Sequence, residues 1–558
     1  MIPHDFNQGR IPSSRMVRHS MTGCYAIIHF GLNTYTDKEW GFGNEDPALF
    51  NPQEFDAEEI VKICRESGLD GIILVCKHHD GFCLWPTSTT DYNISSSPFR
   101  NGKGDLVREL SDACAKHGIS MGFYVSPWDR NHPAYGTAEY PAIYREQLRE
   151  IYSNYGPAFE AWFDGANGGD GWYGGANETR WIDKTVYYDW DTTWKLIRRL
   201  QPDAAIFSDA GPDLRWVGNE KGLADPESFA TYTPHAPEAG RTPAPGFTIS
   251  KEGQTGQADG MFYMPPECDV PLRNGWFYHK TDRPKTLSEL VKIYLRSVGC
   301  GGFLNLGLAP MPSGRLDPAD IARLHEWKQA VDALFANPCL RQISALDQRT
   351  CIVEMGNKKR FNFIELSEPA DSEEKIRGYE VLSRSADGRF QVILTGKAIG
   401  RKRLKRLPET IESDALMIKI TDASEKVSAL KISCFDAEFP LCESEVIQSD
   451  LRVLKPEKHG RDWVFAMEQE TLIRGFCFTP DPKLPPGTPD HYAFHISMDG
   501  VEWTIAAEGE FSNISANPIA QSIWLKQAVR AKFCRLTATG MLISGDNLAG
   551  LEFGIFLK

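Results

Sequence analysis

Four apolar runs in the first third of the chain each end in a polar cluster: Tyr25-Ala-Ile-Ile-His29, Gly71-Ile-Ile-Leu-Val-Cys-Lys-His-His-Asp80, Met121-Gly-Phe-Tyr-Val-Ser-Pro-Trp-Asp129 and Phe159-Glu-Ala-Trp-Phe-Asp-Gly-Ala166. Runs of this kind suit strands covered on both faces, as in a parallel sheet. Between them lie stretches with apolar residues at helical spacing, among them 57–68, which closes on Gly68, and 106–118, which closes on Gly118. The cycle continues with a helix near 139–155, a strand at 159–164, a helix near 190–200 and a short strand at 205–207. Sixth and seventh strands are expected at Arg215-Trp-Val-Gly-Asn-Glu220 and Gly260-Met-Phe-Tyr-Met264, a helix from Leu287 to Val298, and an eighth strand at 302–306. Alternation on this scale predicts an α/β chain built on a (β/α)8-like TIM barrel, with its chemistry at the C-terminal strand ends.

Past Asn337 the pattern turns to short alternating runs, such as Arg360–Leu366 and Val427–Ile432, and then Leu472–Phe478, His491–Trp503 and Ala531–Leu536. These predict two C-terminal β-sandwich domains of about 100 residues each. The expected division is 1–337 for the barrel, 338–438 for the first sandwich and 439–558 for the second. Pro480–Gly487 falls in a loop of the latter, and the glycine-rich insert 166–189 is expected to form a wall of the barrel cleft.

A net charge of −14 argues against nucleic acid or an anionic membrane as partner. The one dense basic run, Arg401-Lys-Arg-Leu-Lys-Arg406, reads as a solvated strand edge or loop. Thirteen cysteines without Cys-x-x-Cys pairs imply neither a disulfide framework nor a zinc site, and Cys76 and Cys300 read as buried small hydrophobes. No apolar stretch is long enough to insert in a membrane. Met1-Ile-Pro-His-Asp5 lacks a signal-peptide pattern, so a cytoplasmic location is expected unless a signal was removed, in which case the protein is periplasmic or secreted.

The predicted barrel mouth collects His29, Trp40, His78, His79, Trp85, Tyr124, Trp128, Trp162 and Asp164. Rings with neutral hydrogen-bonding groups suit a sugar, whose C–H face stacks on aromatics while its hydroxyls need convergent partners. The run His78-His79-Asp80 admits a metal site as an alternative, although no His-x-His pair or glutamate at ligand spacing supports one. Glycoside hydrolysis needs two carboxyl groups. Asp164 is the expected nucleophile, and Glu220 and Glu267, each after a later strand, are the candidates for the acid.

At these residues the sequence resembles the α-L-fucosidases of glycoside hydrolase family 29, over roughly residues 15–335. The matching motifs are His29-Phe-Gly-Leu-Asn-Thr34, Glu39-Trp-Gly41, Lys77-His-His-Asp-Gly-Phe82, Leu84-Trp-Pro86, Tyr124-Val-Ser-Pro-Trp128 and Trp162-Phe-Asp-Gly165. The resemblance implies a retaining exo-enzyme acting on a fucosylated oligosaccharide, with no required metal or organic cofactor. It implies Asp164 as nucleophile, and His29, Trp40, His78, His79, Tyr124, Trp162 and Trp276 as the residues that hold fucose. The 215–220 motif resembles that of the subfamily restricted to α-1,3 and α-1,4 fucose on Lewis-type glycans, which implies Glu220 as acid/base and places Asn131 and Glu267 toward the neighbouring galactose. The long insert after Asp164 departs from the family pattern. The pieces around Phe494–Trp503 and Arg530–Leu536 resemble a galactose-binding-like sandwich of the discoidin and carbohydrate-binding-module type, serving either sugar binding or support of the barrel. A broad-specificity fucosidase, a catalytically inactive glycan-binding barrel and a metal-assisted hydrolase are the rival functions.

Overall fold

The apolar runs become the staves of a closed parallel barrel. The computed structural model of the chain describes residues 9–347, 349–438 and 451–557. The reading of Met1–Asp5 and the boundary at residue 439 fall outside the described residues. The barrel strands are β1 (Cys24–Ile28), β2 (Gly71–Lys77), β3 (Ser120–Val125), β4 (Ala158–Trp162), β5 (Ala205–Ser208), β6 (Leu214–Trp216), β7 (Pro266–Pro271) and β8 (Phe303–Leu308). Each pairs with its neighbours in sequence, and β8 closes onto β1 with Cys24 beside Leu304 and Ala26 beside Leu306. Every residue of β2 is buried, as the run of Ile, Leu and Val requires of a strand with a helix layer outside and side chains filling the barrel within.

Helices α1 (Ala57–Glu66), α2 (Leu106–His117), α3 (Tyr140–Asn154), α4 (Trp190–Leu200), α5 (Leu287–Arg296) and α6 (Pro318–Phe335) lie around the barrel. Their ends follow local chemistry. Asp56 and Asp105 accept the backbone N–H groups of Glu59 and Arg108 to start α1 and α2, and Thr286 with Glu289 forms a capping box on α5. Gly68 takes a positive φ of 72° after α1, the left-handed turn that a glycine accepts without strain.

Two strand assignments need correction. Of the sixth run only Arg215 and Trp216 are strand, in a stave that starts at Leu214, and the chain leaves the barrel after Val217, whose N–H still donates to the Glu267 carbonyl. The seventh stave is Pro266–Pro271, whereas Phe262–Tyr263 pairs antiparallel with Thr231–Tyr232 in a separate ribbon. Pro-Glu-Cys-Asp-Val-Pro carries prolines at both ends and two carboxyl groups inside, so neither propensity nor alternation marks it as strand. The barrel interior supplies the compensation: Tyr25, Trp162 and Asn305 all donate hydrogen bonds to Glu267.

The insert after Asp164 is ordered. It forms a ribbon of Gly169–Gly171 with Glu178–Arg180, and Tyr173 is buried where its hydroxyl donates to the Gly169 carbonyl and accepts from the Trp128 indole.

The C-terminal strands form two antiparallel sandwiches, each with its own core. The first contains β9 (Leu340–Ala345), β10 (Thr350–Ser367), β11 (Ile376–Arg384), β12 (Phe390–Gly396), β13 (Arg403–Ala423) and β14 (Ala429–Phe435). The second contains β15 (Leu451–Leu454), β16 (Asp462–Thr479), β17 (Pro489–Ser497), β18 (Thr504–Glu510), β19 (Gln521–Met541) and β20 (Glu552–Phe556). The two share one strand order, and lengths of 18, 9, 7 and 21 residues recur for the four successive strands that start at β10 and at β16. The register breaks recur too, between Glu354 and Lys359 in β10 and between Ala466 and Thr471 in β16. Such bulges bend long strands so that one strand serves both layers. The second sandwich therefore repeats the first.

The basic run at 401–406 is not a solvated edge. Arg403 is buried and donates to the carbonyls of Pro226 and Ser228, and Arg401 donates to those of Ser20 and Gly302. Ser20 and Gly302 precede β1 and β8, so the first sandwich is fastened to the N-terminal end of the barrel. Arg403→Met is expected to destabilise the protein by about 2–4 kcal/mol, since two buried carbonyls lose charge-assisted donors. Denaturant unfolding checks this, and an unmoved first transition would show that the fastening lies elsewhere.

Among the described residues no helix is long and apolar enough to cross a membrane. The twelve described cysteines are free, and all but Cys339 are buried.

Candidate active site

Residues just past the C-terminal strand ends converge on a cavity of about 320 Å³. His29 follows β1, His78 and His79 follow β2, Asp164 follows β4 and Asp209 follows β5. Trp216 ends β6, Glu220 lies in the segment after it, and Asp269 lies within β7. Trp40, Trp162 and Trp276 supply aromatic wall, and Gly246, Thr248 and Ser250 line one side.

Asp164 is held by one donor on each oxygen. The Ala166 N–H reaches Oδ1 at 2.6 Å and the Tyr124 hydroxyl reaches Oδ2 at 2.8 Å. Burial raises its pKa above the ordinary aspartate value while these donors oppose the shift. Both of its oxygens thus remain tethered in a direction set by the backbone turn after β4.

Glu220 reaches the same cavity because the chain doubles back at Gly218, which has φ of +81° and sits so close to Ser250 that a Cβ would fall 2.0 Å from its carbonyl oxygen. No side chain fits there. The Trp276 indole donates to Glu220 Oε2 at 3.0 Å, and the Asn513 amide donates to the same oxygen. Burial pushes the Glu220 pKa up to about 7; Trp276 and Asn513 pull it down, and the neighbouring charges of Asp164 and Glu39 raise it further. Two carboxyl groups in one cavity therefore differ in environment, one tethered among donors and one poised to carry a proton near neutrality.

The histidines are neutral donors and acceptors. Burial holds His29, His78 and His79 well below the usual histidine range. Asn33 Nδ2 lies 3.5 Å from His78 Nδ1. The Ser126 hydroxyl donates to the Trp128 carbonyl and lies 2.8 Å from His79 Nδ1, and His79 Nε2 faces Asp164 Oδ2 at 3.8 Å. A neutral imidazole carries one donor and one acceptor nitrogen. Among the described residues no group of three or more His, Cys, Asp or Glu is arranged to hold a metal ion.

Of the residues expected from sequence, His29, Trp40, His78, His79, Trp162, Asp164, Glu220 and Trp276 line the cavity. Tyr124 acts on it through its hydrogen bond to Asp164. Asn131 and Glu267 are not brought to the cavity wall. Asn131 donates to the Gly43 carbonyl, and Glu267 is fully buried inside the barrel, where it accepts from the Trp162 indole at 2.8 Å and so fixes that ring from below. Trp85 and Trp128 also stand back: Trp85 donates to Glu150, and Trp128 lies edge-on to Trp40 at 5.6 Å. The insert contributes Ala166 to the wall and otherwise braces Trp128.

Sequence reasoning missed Asp209, Asp269 and Asn513. Asp209 accepts from Thr248 and from the Gly246 N–H, and burial raises it to about 6. A carboxylate just past the short fifth strand was the available signal. Asp269 accepts from the Trp216 indole at 2.7 Å and is hidden in the misassigned seventh strand. Glu39, in the Glu-Trp-Gly motif, fixes the Trp276 loop by accepting from the N–H groups of Trp276 and Phe277.

A closed parallel barrel with paired carboxyl groups and a ring-lined cavity at its C-terminal end defines a glycoside hydrolase. The family model for α-L-fucosidase matches residues 13–329. The chain belongs to the α-L-fucosidase family, glycoside hydrolase family 29. It is similar to α-L-fucosidase 1 of Arabidopsis thaliana, with 36% identity over 456 residues that span 75% of this chain and 86% of the plant protein. Among solved structures it is similar to a glycoside hydrolase 29 family member from an unknown rumen bacterium, at 36% identity and a TM-score of 0.74, covering 99% of this chain and 100% of that one. A Ruminococcus gnavus glycoside hydrolase 29 fucosidase in complex with fucose matches at 27% identity and a TM-score of 0.66, covering 77% of this chain and 95% of that one.

Proposed function

We propose that this α-L-fucosidase is a retaining exo-enzyme that removes terminal L-fucose from α-1,3- and α-1,4-linked branched glycans of Lewis type. The observation that carries the reading is that Asp164 and Glu220 line one cavity, Asp164 with a donor on each oxygen and Glu220 with both donors on one oxygen and its pKa pushed up to about 7 by burial. In the first step an Asp164 oxygen attacks the anomeric carbon as the glycosidic C–O bond breaks, and Glu220 gives its proton to the departing oxygen. In the second, Glu220 takes a proton from water, whose oxygen attacks the same carbon and expels the Asp164 carboxylate. Two inversions retain the configuration.

A cavity of about 320 Å³ is at the small end for ligand sites, which favours one terminal sugar over an internal stretch of chain. The neutral rings of His29, His78 and His79 suit hydroxyls, and Trp40, Trp162 and Trp276 suit the apolar face and C5 methyl of fucose. The linkage preference rests on the likeness of the 215–220 motif. The division assigned to this function is a catalytic barrel through residue 337, a sandwich over 338–438 and a galactose-binding-like sandwich from 439 onward.

Hydrolysis of α-1,2-, α-1,3-, α-1,4- and α-1,6-fucosylated oligosaccharides, compared with an aryl fucoside and repeated with a chelator, tests the reading. The α-1,3 and α-1,4 branched substrates are expected to lead in kcat/KM by about 10–100-fold, unaffected by the chelator. Equal rates across linkages would mean broad specificity, loss with chelator a metal-assisted route, and no turnover of any substrate a glycan-binding barrel.

A further inference from the structure

The loop between β18 and β19 in the second sandwich enters the barrel site. Phe511 anchors it in the sandwich core, stacked on Phe478 with centroids 4.9 Å apart. Gln521 Nε2 donates to the Ser512 carbonyl at 3.1 Å, and the Asn517 N–H donates to the Asn513 carbonyl at 2.8 Å. The loop grips the segment of Glu220 twice. Asn513 Nδ2 donates to Glu220 Oε2, and Asn517 Nδ2 donates to the Glu220 carbonyl at 3.3 Å. Asn513 and Ala516 line the same cavity as Asp164. Next to the loop, Glu510 accepts from the Glu39 N–H at 3.2 Å, so the sandwich also holds the segment that fixes Trp276.

We propose that Asn513 is a positioning residue for the acid/base carboxyl group, acting from the second sandwich to decide which Glu220 oxygen carries the transferable proton. The inference rests on Glu220 being the acid/base. A protonated carboxyl group has one carbonyl oxygen and one hydroxyl, and the carbonyl oxygen is the better acceptor. Both N–H donors, from Asn513 and Trp276, fall on Oε2. Oε2 is thereby held as the carbonyl oxygen and Oε1 is left to bear the proton. A proton fixed on the oxygen free of donors is aimed at substrate rather than exchanged between the two.

Geometry also sets the direction of the effect on titration. Glu220 is faced by Asp164 and Asp269 in the cavity, by Glu39 behind the Trp276 loop, and Glu510 lies beyond Glu39. The charges of Asp164 and Glu39 disfavour a charged Glu220, whereas the Asn513 N–H favours it. Removing that donor raises the pKa, and a carboxylate in its place raises it further. Because Glu220 must be protonated for the first step, the alkaline limb of kcat/KM then moves to higher pH.

The test uses the full chain with Asn513→Gly and Asn513→Asp. Asn513 has φ of +53°, which glycine adopts without strain, so the first variant removes the side chain and spares the loop. The second keeps the shape and removes the N–H donors. Each variant, with Glu220→Gln alongside, is assayed against pH on a Lewis-type oligosaccharide and on a fucoside with a nitrophenolate leaving group, which needs little protonation. Asn513→Gly is expected to lower kcat/KM on the oligosaccharide about tenfold, to change it less than about twofold on the aryl fucoside, and to shift the alkaline limb upward. Asn513→Asp is expected to shift the limb further. Equal losses on both substrates with an unmoved limb would reduce Asn513 to a structural loop residue and overturn the proposal alone. Parental oligosaccharide turnover by Glu220→Gln would instead remove the acid/base assignment, and the proposal with it.

Discussion

Asp164→Ala is expected to lose turnover by on the order of 10⁴-fold on every fucoside, good leaving group or poor, because the group that forms the first bond to the anomeric carbon is removed whatever the leaving group. The structure sharpens the expectation. Tyr124 and the Ala166 N–H aim both oxygens of Asp164 into the cavity, and truncation leaves the space of a small anion beside a hydroxyl and an N–H donor. Azide is expected to enter that space and restore part of the rate, giving fucosyl azide of inverted configuration, since it replaces the nucleophile in a single displacement. An Asp164→Ala enzyme that turns over without added nucleophile would end the double-displacement scheme.

Glu220→Gln is the second large effect, and its size depends on the substrate. Removal of a general acid typically costs 10²–10⁴-fold, so kcat/KM on an oligosaccharide is expected to fall by about that much, with little change for a nitrophenyl fucoside. With the aryl substrate the second step loses its base, and the fucosyl-enzyme should accumulate as a burst visible by stopped flow. Azide added to Glu220→Ala intercepts that intermediate and yields the azide of retained configuration, opposite to the product of Asp164→Ala. The parent enzyme is expected to show a bell-shaped profile. The rate climbs as Asp164 ionises, at a pH above the usual aspartate range, and declines as Glu220 loses its proton near pH 7. The glutamine variant should lack the alkaline limb, and a limb that persists would assign it to another group. Asp209, raised to about 6, and Glu510, raised to about 7, are the groups to replace next in that case.

Most of the barrel was legible because parallel strands buried on both faces are written as apolar runs, and the polar cluster after each run marks the end where groups can converge. Asp164, His29, His78 and His79 were read as one cluster in this way, and all four line the cavity. The rule failed at Pro266–Pro271, where the barrel interior satisfies Glu267 and Asp269 with buried donors from Tyr25, Trp162, Asn305 and Trp216. Tertiary partners there outweigh local preference, and no window of sequence contains them. The subfamily resemblance, and not the strand pattern, placed Glu267 toward the neighbouring galactose, whereas its hydrogen bonds hold it beneath Trp162. The basic run at 401–406 misled for a related reason, since the carbonyls that its arginines satisfy belong to loops 99 to 381 residues earlier. Asn513 was out of reach altogether, being 293 residues from the glutamate it touches and inside a module whose pattern says only that it is β.

The duplicated sandwiches give the corresponding loop in each copy a different task. In the first copy the segment between β12 and β13 carries Arg401 to the foot of the barrel, and in the second the segment between β18 and β19 carries Asn513 to its rim. The same connection in the repeated architecture thus serves as anchor in one copy and as instrument in the other. The rim copy can therefore change what surrounds Glu220 while the foot copy keeps the assembly standing.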